Sequence, residues 1–396
     1  MGENDSLHQK LYQAYLPITF TNKNVSKLKL PKRKYDSPLY VNDLIPFRSG
    51  YIINSISSSW GRELDVRYNF YYIDLVKNDL SKIHLEELDT IHSMIVDKGI
   101  LYASGKKAKQ FKVFKYSDTK GEELIFDQSI QNIIQQDYNW IKLGIYKNEL
   151  IALLNNGIIQ YKNNKWEYLE NYSLEAYLKE MGRRNTRWLF PTENIRVHDD
   201  KIYLMWEITQ GRTSTLMKMD LQKPNDVESF LYKFGLVDNT KKEVDSYLIN
   251  NDGSLYVTIT RLMANSIVLH VTEDSVSTII LNGQLKEGAN QNTLIDAHCI
   301  VEDNGNKIIF GCAGIFSWKE NDINPLAFLE NTEQAVKIEI GTLHWRFQPR
   351  TVAILEQGKY LVGGLWGGLY IMDMNSKSIS CLDDVKARPG NKKLFE

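Results

Sequence analysis

Residues 350–384 read RTVAILEQGKYLVGGLWGGLYIMDMNSKSISCLDD. Four runs in this stretch, RTVAILE, KYLVGG, GLYIMDM and SISCLDD, are rich in β-branched and aromatic residues and are broken by QGK, LWG and NSK. Such runs between Gly, Asn and Asp clusters are typical of β-strands joined by hairpin turns. The stretch therefore predicts one four-stranded antiparallel sheet.

The same pattern occurs seven times along the chain. One apolar residue after a turn anchors each unit, and the anchors are Tyr51, Leu101, Leu150, Ile202, Leu255, Ile308 and Tyr360. Consecutive anchors are separated by 50, 49, 52, 53, 53 and 52 residues. A period of about 50 residues with several short strands per unit is the signature of a β-propeller. We therefore predict an all-β, seven-bladed β-propeller.

The repeat sets the expected boundaries. The seven units are predicted at residues 43–91, 92–138, 139–193, 194–243, 244–294, 295–346 and 347–385. Residues 1–42 precede them as an N-terminal arm, and residues 386–396 follow as a polar tail. We interpret the basic run KLKLPKRKY of the arm as a solvated edge strand, with an interaction arm as the alternative. Because an isolated blade cannot bury both faces, the seven units count as one domain.

An insertion of about 25 residues, 170–194, separates units three and four. Its segment SLEAYLKEMGRRN begins with Ser173 as an N-cap, has apolar residues at helical spacing and meets Gly182 as a stop. We expect a short helix between blades three and four that walls a site.

Composition limits the classes of partner. The 48 basic and 49 acidic side chains nearly cancel, so we expect no binding to nucleic acid or to an anionic membrane. The chain has no apolar run long enough to span a bilayer and no signal-peptide core at its start. Its three cysteines form no CxxC pair. We expect a cytoplasmic protein, or an exported one if Met1 and Gly2 stand where a signal peptide was removed.

The last unit resembles a known family. GGLWGGLYIMDMNSKSISCL, residues 363–382, is similar to the repeat of the two-component-regulator sensor propellers, in which a strand ends in Gly-Gly and continues as Leu-Tyr. Weaker copies are GCAGIFSWKEND at 311–322 and NNGIIQYKNNKWEYL at 155–169. The resemblance implies a propeller with a sensing or binding role and carries over no catalytic residue.

Arginines concentrate on one predicted face. The loops that enter the inner strand of each blade share a face with the loops that join its second and third strands, and ten of the 13 arginines map to these elements. The candidate ligand-binding residues on this face are Arg62, Arg187, Arg196, Arg212, Arg261, Arg346, Arg350, Trp60, Trp140, Trp188 and Trp366. Guanidinium groups bind carboxylate and phosphate bidentately and stack on aromatic rings, so the pattern indicates a site for an anionic partner. The alternative is that local acids such as Glu193 pair with the arginines while tryptophans fill blade interfaces.

Polar residues also begin the predicted inner strands. They are Asp43, His92, Trp140, Asn194, Asp245, Asp296 and Gln348, with His298 two residues beyond Asp296. Residues i and i+2 of a strand face the same side, so Asp296 and His298 are candidates for a metal site or for a base and its orienting carboxylate.

Two functional hypotheses follow. The first is a non-catalytic propeller, without a cofactor, that binds an anionic protein, peptide or other ligand on the Arg- and Trp-rich face. The alternative is an enzyme acting on an anionic sugar, lyase-like or hydrolase-like, with His92 and His298 as catalytic residues. A divalent metal held by Asp296 and His298 would favour the enzyme.

Overall fold

The computed structural model describes 18 stretches of the chain. They are residues 26–29, 31, 39–58, 66–117, 120–134, 140–154, 157–171, 189–208, 213–229, 243–260, 266–281, 284–285, 297–311, 314–320, 322–330, 348–366, 368–384 and 391–393.

The first half of the chain forms four antiparallel sheets, which we call blades one to four. A strand β1 (Ser26–Lys29) precedes them. Blade one consists of β2 (Val41–Phe47), β3 (Gly50–Ser58), β4 (Val66–Asp74) and β5 (Asp79–His84). Blade two consists of β6 (Thr90–Asp97), β7 (Ile100–Lys107), β8 (Gln110–Tyr116) and β9 (Glu122–Glu123), and helix α1 (Gln128–Ile134) follows it. Blade three consists of β10 (Lys142–Tyr146), β11 (Glu149–Leu154), β12 (Gly157–Lys162) and β13 (Lys165–Asn171). Blade four consists of β14 (Leu189–Pro191), β15 (Arg196–His198), β16 (Lys201–Ile208), β17 (Thr213–Asp220) and β18 (Lys223–Ser229), with β14 and β15 both paired to β16.

The second half forms blades five to seven. Blade five consists of β19 (Glu243–Ile249), β20 (Leu255–Thr260), β21 (Ile267–Val271), β22 (Val276–Leu281) and β23 (Gln284–Leu285). Blade six consists of β24 (Cys299–Asp303), β25 (Asn306–Phe310), β26 (Gly314–Lys319) and β27 (Asp322–Glu330). Blade seven consists of β28 (Gln348–Glu356), β29 (Lys359–Trp366), β30 (Gly368–Asp373) and β31 (Ser378–Cys381), and a last strand β32 (Asn391–Lys393) follows it.

The seven sequence anchors occupy equivalent positions. Each lies in the second strand of its blade, in β3, β7, β11, β16, β20, β25 and β29. The prediction of an all-β, seven-bladed β-propeller is therefore confirmed. Several hairpin turns use a left-handed backbone conformation, and Asn163 and Asn164 supply it between β12 and β13.

The chain divides into two compact units. One contains residues 42–239 and 387–396, and therefore blades one to four; the other contains residues 1–41 and 240–386, and therefore blades five to seven. Within each unit, apolar side chains of successive blades pack into shared clusters. Ile151 and Leu204 belong to the cluster of blades three and four, and Phe310 and Tyr360 belong to the cluster of blades six and seven.

Both terminal segments contribute a strand to the outer edge of a blade. β1 pairs in parallel with β27 of blade six, and β32 pairs in parallel with β5 of blade one. The basic run thus contributes an edge strand, but its Leu28 is 1% exposed and packs in the core beside Phe310. Part of the predicted polar tail also forms regular structure.

One helix lies where the sequence did not predict one. It is α1, the single helix among the described residues, and it lies between blades two and three. Asp127 caps it by accepting a hydrogen bond from the Ile130 N–H at 2.9 Å, and Ile130 and Ile134 bury its apolar side. Its apolar residues Ile130, Ile133 and Ile134 have helical spacing, but seven residues are fewer than the window in which that spacing identifies a helix. Most of the insertion predicted to be helical, residues 172–188, lies outside the described residues.

Candidate functional site

Every blade has a polar residue at the start of its inner strand. It precedes the second-strand anchor by eight to ten residues, and the seven are Asp43, His92, Lys142, Asn194, Asp245, His298 and Arg350. Six of them are at most 9% exposed, and the side chain of Asp245 is 12% exposed. Buried polar groups require partners, so this position defines the candidate site.

Three of these residues lie at β-bulges. The inner-strand pairing skips His92 in blade two, Asp245 in blade five and Arg350 in blade seven. A bulge inserts one unpaired residue and changes the direction of its side chain. Simple alternation along the strand therefore does not predict where these side chains lie.

In blades one to four, Asn194 connects three inner strands. Its Nδ2 donates to the Met94 carbonyl at 2.8 Å and to Asp43 Oδ2 at 3.4 Å. Its Oδ1 accepts a hydrogen bond from the Ser93 hydroxyl at 2.5 Å, and Ser93 Oγ accepts the Leu143 N–H of blade three at 3.0 Å. These bonds join residues that are about 50 to 150 positions apart, so they fix the spacing of the inner strands.

Arg196 lies at the solvent side of this network. Its Nη2 is 3.3 Å from Glu193 Oε2 and 3.8 Å from Asp43 Oδ1, while its side chain remains 43% exposed. Glu193 is itself held, since its Oε1 accepts the Met205 N–H at 3.3 Å. The contact with Glu193 is the local pairing considered above as the alternative to ligand binding.

Lys142 is the buried cation of the network. Its side chain has no exposed area, its Nζ donates to the His92 carbonyl at 2.9 Å, and the ammonium lies 3.9 Å from the centroid of the Tyr68 ring. Burial lowers the pKa of Lys142 to about 7, and the negative charges of Asp43 and Glu193 offset only part of this effect because they raise the pKa.

His92 lies between two aromatic rings. Its ring centroid is 6.1 Å from that of Tyr68 and 5.6 Å from that of Phe111, and the Lys106 ammonium lies 4.6 Å from the Phe111 centroid. Burial, with the charges of Lys106 and Lys142, lowers the pKa of His92 to about 3. The imidazole is therefore neutral at physiological pH. Its Nε2 is 3.5 Å from Thr90 Oγ1, and its Nδ1 has no hydrogen-bond partner among the described residues.

In blades five to seven, His298 has a carboxylate neighbour. Its Nδ1 is 3.0 Å from Asp245 Oδ2, and its backbone carbonyl accepts the Thr258 hydroxyl at 2.7 Å. Asp296, the predicted partner of His298, lies outside the described residues. The part of the chain that the structure describes contains no group of three or more His, Cys, Asp or Glu side chains arranged to hold a metal.

Trp140, which the sequence predicts on the ligand face, is a core residue. Trp140 and Trp206 are 5% and 0% exposed and meet edge to face with ring centroids 5.2 Å apart, inside the cluster of blades three and four. Trp140 as a ligand-stacking residue is therefore corrected: the large apolar indole is buried between blades. Arg350 is also buried, at 8% exposure.

Most other predicted site residues cannot be placed. Those outside the described residues are Arg62, Arg187, Arg212, Arg261, Arg346, Trp60 and Trp188. Trp366 ends β29, and its side chain is not described.

Sequence reasoning missed Lys142, Tyr68 and Lys106. Trp140 and Lys142 lie ten and eight positions before Leu150, and both distances fall within the range found in the other blades, so the spacing alone does not choose between them. No pattern in the sequence pointed to Tyr68, which comes from β4 of blade one.

The chain is similar to several solved structures, each at low sequence identity. A puromycin-hydrolyzing peptidase from Mycobacterium tuberculosis aligns with a TM-score of 0.48 and 9% identity, over 92% of this chain and 57% of the peptidase. The β-propeller domain of the Trilobed protease from Pyrococcus furiosus aligns with a TM-score of 0.38 and 10% identity, over 90% of this chain and 98% of that domain. The extracellular domain of a putative one-component system from B. thetaiotaomicron aligns with a TM-score of 0.34 and 11% identity, over 90% of this chain and 53% of that domain. The chain thus spans about half the length of the first and third of these structures.

No protein-family model matches the chain, and no curated protein matches it either. Among the described residues, no helix is long and apolar enough to cross a membrane. The fold and the site together define a seven-bladed β-propeller in which each inner strand begins with a buried or nearly buried polar residue.

Proposed function

We propose that this chain is a non-catalytic binding propeller that recognises an anionic protein, peptide or other ligand at the inner-strand cluster around Arg196. The observation that carries the proposal is the state of Arg196: two carboxylates hold its guanidinium, yet 43% of the side chain is exposed. A guanidinium oriented before binding loses less conformational entropy when it engages a carboxylate or phosphate through paired hydrogen bonds. Arg62, Arg187, Arg212, Trp60 and Trp188, which the sequence predicts on the same face, are proposed to extend this surface.

The protonation states near Arg196 favour binding over proton transfer. A general acid or base works best with a pKa near the working pH, and the pKa of His92 is about 3. Lys142 has a pKa of about 7, but its side chain is fully buried against the His92 carbonyl and the Tyr68 ring. The resemblance of residues 363–382 to sensor propellers supports a binding role as well.

The test begins with capture of the partner from native cells and its identification by mass spectrometry. Titration calorimetry then compares the parent with Arg196→Ala, Arg196→Lys and, as a control, Arg48→Ala, which removes an exposed arginine from the turn between β2 and β3. Arg196→Ala should weaken binding by about 10- to 100-fold, the range for a hydrogen bond to a charged group. Arg196→Lys should also weaken it, because the planar fork is lost. Equal effects of Arg196→Ala and Arg48→Ala would contradict the proposal.

One observation favours the second candidate, an enzyme acting on an anionic sugar. Asp245 Oδ2 lies 3.0 Å from His298 Nδ1 without making a hydrogen bond, and a small rotation of the ring would give the contact by which a carboxylate orients a histidine base. Incubation with a polyuronate, followed by ultraviolet detection of unsaturated products and by a reducing-end assay, tests both lyase and hydrolase activity. Product formation that is lost in a folded His298→Gln variant would support the enzyme, whereas no product from the parent would support binding alone.

A further inference from the structure

We infer that blade two binds a small oxyanion, a carboxylate or a phosphate group, between the Lys106 ammonium and the His92 imidazole. The inference deepens the proposed function. Binding of the anion does not depend on that function, but the expectation that the anion belongs to a partner of this chain rests on it. The site is distinct from Arg196, because His92, Lys106 and Phe111 come from β6, β7 and β8 and its further wall, Tyr68, comes from β4, whereas Arg196 lies in the inner strand of blade four.

The first observation is an uncompensated cation. Lys106 is half-buried at the end of β7, and its Nζ lies over the Phe111 ring at 4.6 Å. No carboxylate lies within ion-pair distance of it in the described part of the chain, whereas the next residue, Lys107, pairs with Asp89 at 3.0 Å. Burial lowers the pKa of Lys106 without an opposing acid. A desolvated ammonium without a counter-ion is costly, and a bound anion would remove that cost.

The second observation is the orientation of His92. His92 is the extra residue of a β-bulge, and its ring packs against the same Phe111 ring that Lys106 covers. In the tautomer in which Nε2 accepts the Thr90 hydroxyl, Nδ1 carries the proton, and this buried N–H has no partner in the described structure. Bulges next to binding sites commonly change the direction of a side chain in this way.

The chemistry of the lining selects the ligand. Lys106 and Lys142 both place positive charge next to His92, which disfavours a cation. An apolar group would leave the His92 N–H unpaired. A carboxylate or a phosphate accepts from both Lys106 and His92, and the Phe111 and Tyr68 rings provide apolar walls that strengthen those hydrogen bonds.

The experiment uses the full chain with inorganic phosphate and with acetate as probes. Each probe is titrated in place of chloride, so that the ionic strength stays constant. The readout is the NMR signal of the His92 ring, identified by its loss in His92→Gln. We expect a saturable shift with phosphate, acetate or both, and the stronger probe indicates whether a phosphorylated or a carboxylate group is the natural ligand. Lys106→Met should weaken the binding by about tenfold or more, the effect of losing one charge-assisted hydrogen bond.

Lys107→Met is the matched control, because it removes the same charge from the next residue of the same strand, where side chains face the opposite side. It should change the affinity less than about twofold, as expected for an exposed ion pair. No saturable shift with either probe, or equal losses in the two lysine variants, would overturn the inference. Neither result depends on Arg196 or on a captured partner, so the inference and the proposed function can fail separately.

Discussion

Lys142 combines full burial with a charge that its neighbours only partly offset. One hydrogen bond to the His92 carbonyl and the face of the Tyr68 ring are its direct contacts among the described residues, and Asp43 and Glu193 act on it from further away. A lysine in such surroundings loses its proton more readily than in water. Protonation of Lys142 is therefore coupled to folding.

The stability of the protein should rise with pH through the window that Lys142 controls. Its pKa is about 7 in the native state against 10.5 for an exposed lysine, so between these values the unfolded chain binds the proton that the native chain has released. Proton linkage then increases the free energy of unfolding by as much as about 1.4 kcal/mol per pH unit. Lys142→Met should flatten this dependence between about pH 7 and 9, as measured by urea unfolding at several pH values.

Lys107→Met is the control for this prediction, because Lys107 is on the surface and 43% of its side chain is exposed. Its pH dependence should match that of the parent. An unchanged slope in Lys142→Met would show that Lys142 keeps an ordinary proton affinity in the native state.

At the scale of the elements, close packing between neighbouring strands leaves no room for some side chains. A Cβ atom added at Gly363 in β29 would lie 2.3 Å from Val41 Cγ1 and 3.1 Å from Thr351 Cγ2. Val41 begins β2 and has no exposed area. The Gly-Gly pair by which the last unit resembles sensor propellers therefore has a steric role here, because Gly363 leaves the space that the Val41 side chain occupies.

Gly363→Ala should destabilise the protein by about 1–3 kcal/mol, the usual cost of an overpacked core. The cost should fall when Val41→Ala is present, because the smaller side chain vacates the space that the new methyl group needs. A double-mutant cycle of free energies of unfolding measures this coupling. Additive effects would show that Gly363 is required for a reason other than Val41.

At the scale of the whole molecule, stability comes from surfaces shared by successive blades. In the unit of blades five to seven, Ile308 and Phe310 of blade six pack with Tyr360, Val362 and Tyr370 of blade seven. The Tyr360 hydroxyl also donates to Asp303 Oδ2 of blade six at 2.8 Å. A blade without its neighbour exposes this apolar surface.

A chain that ends before Phe347 should therefore lose cooperative unfolding rather than survive as a stable six-bladed fragment. Each exposed large apolar side chain costs about 1.5–3 kcal/mol, and the cluster of blades six and seven contains several of them. Calorimetry and near-ultraviolet circular dichroism of the fragment provide the test. A sharp transition near the melting temperature of the parent would refute it.

The sequence by itself determined the class of fold and the number of blades. Strands and hairpin turns depend on neighbouring residues, so a regular spacing of anchors such as Leu101, Leu150 and Ile202 was enough to count the blades. The same local signals indicated that polar residues such as Asp43, His92 and Asn194 begin inner strands.

Only the tertiary structure decided how those residues are used. Asn194 and Asp43 are 151 positions apart, and no local pattern encodes their hydrogen bond. The bulge at His92 breaks the alternation on which a sequence prediction of side-chain direction depends. Trp140 is buried because a second blade covers it. Local propensity determines which segments are strands, whereas the partners of a buried polar group depend on which strands pack together and in which register.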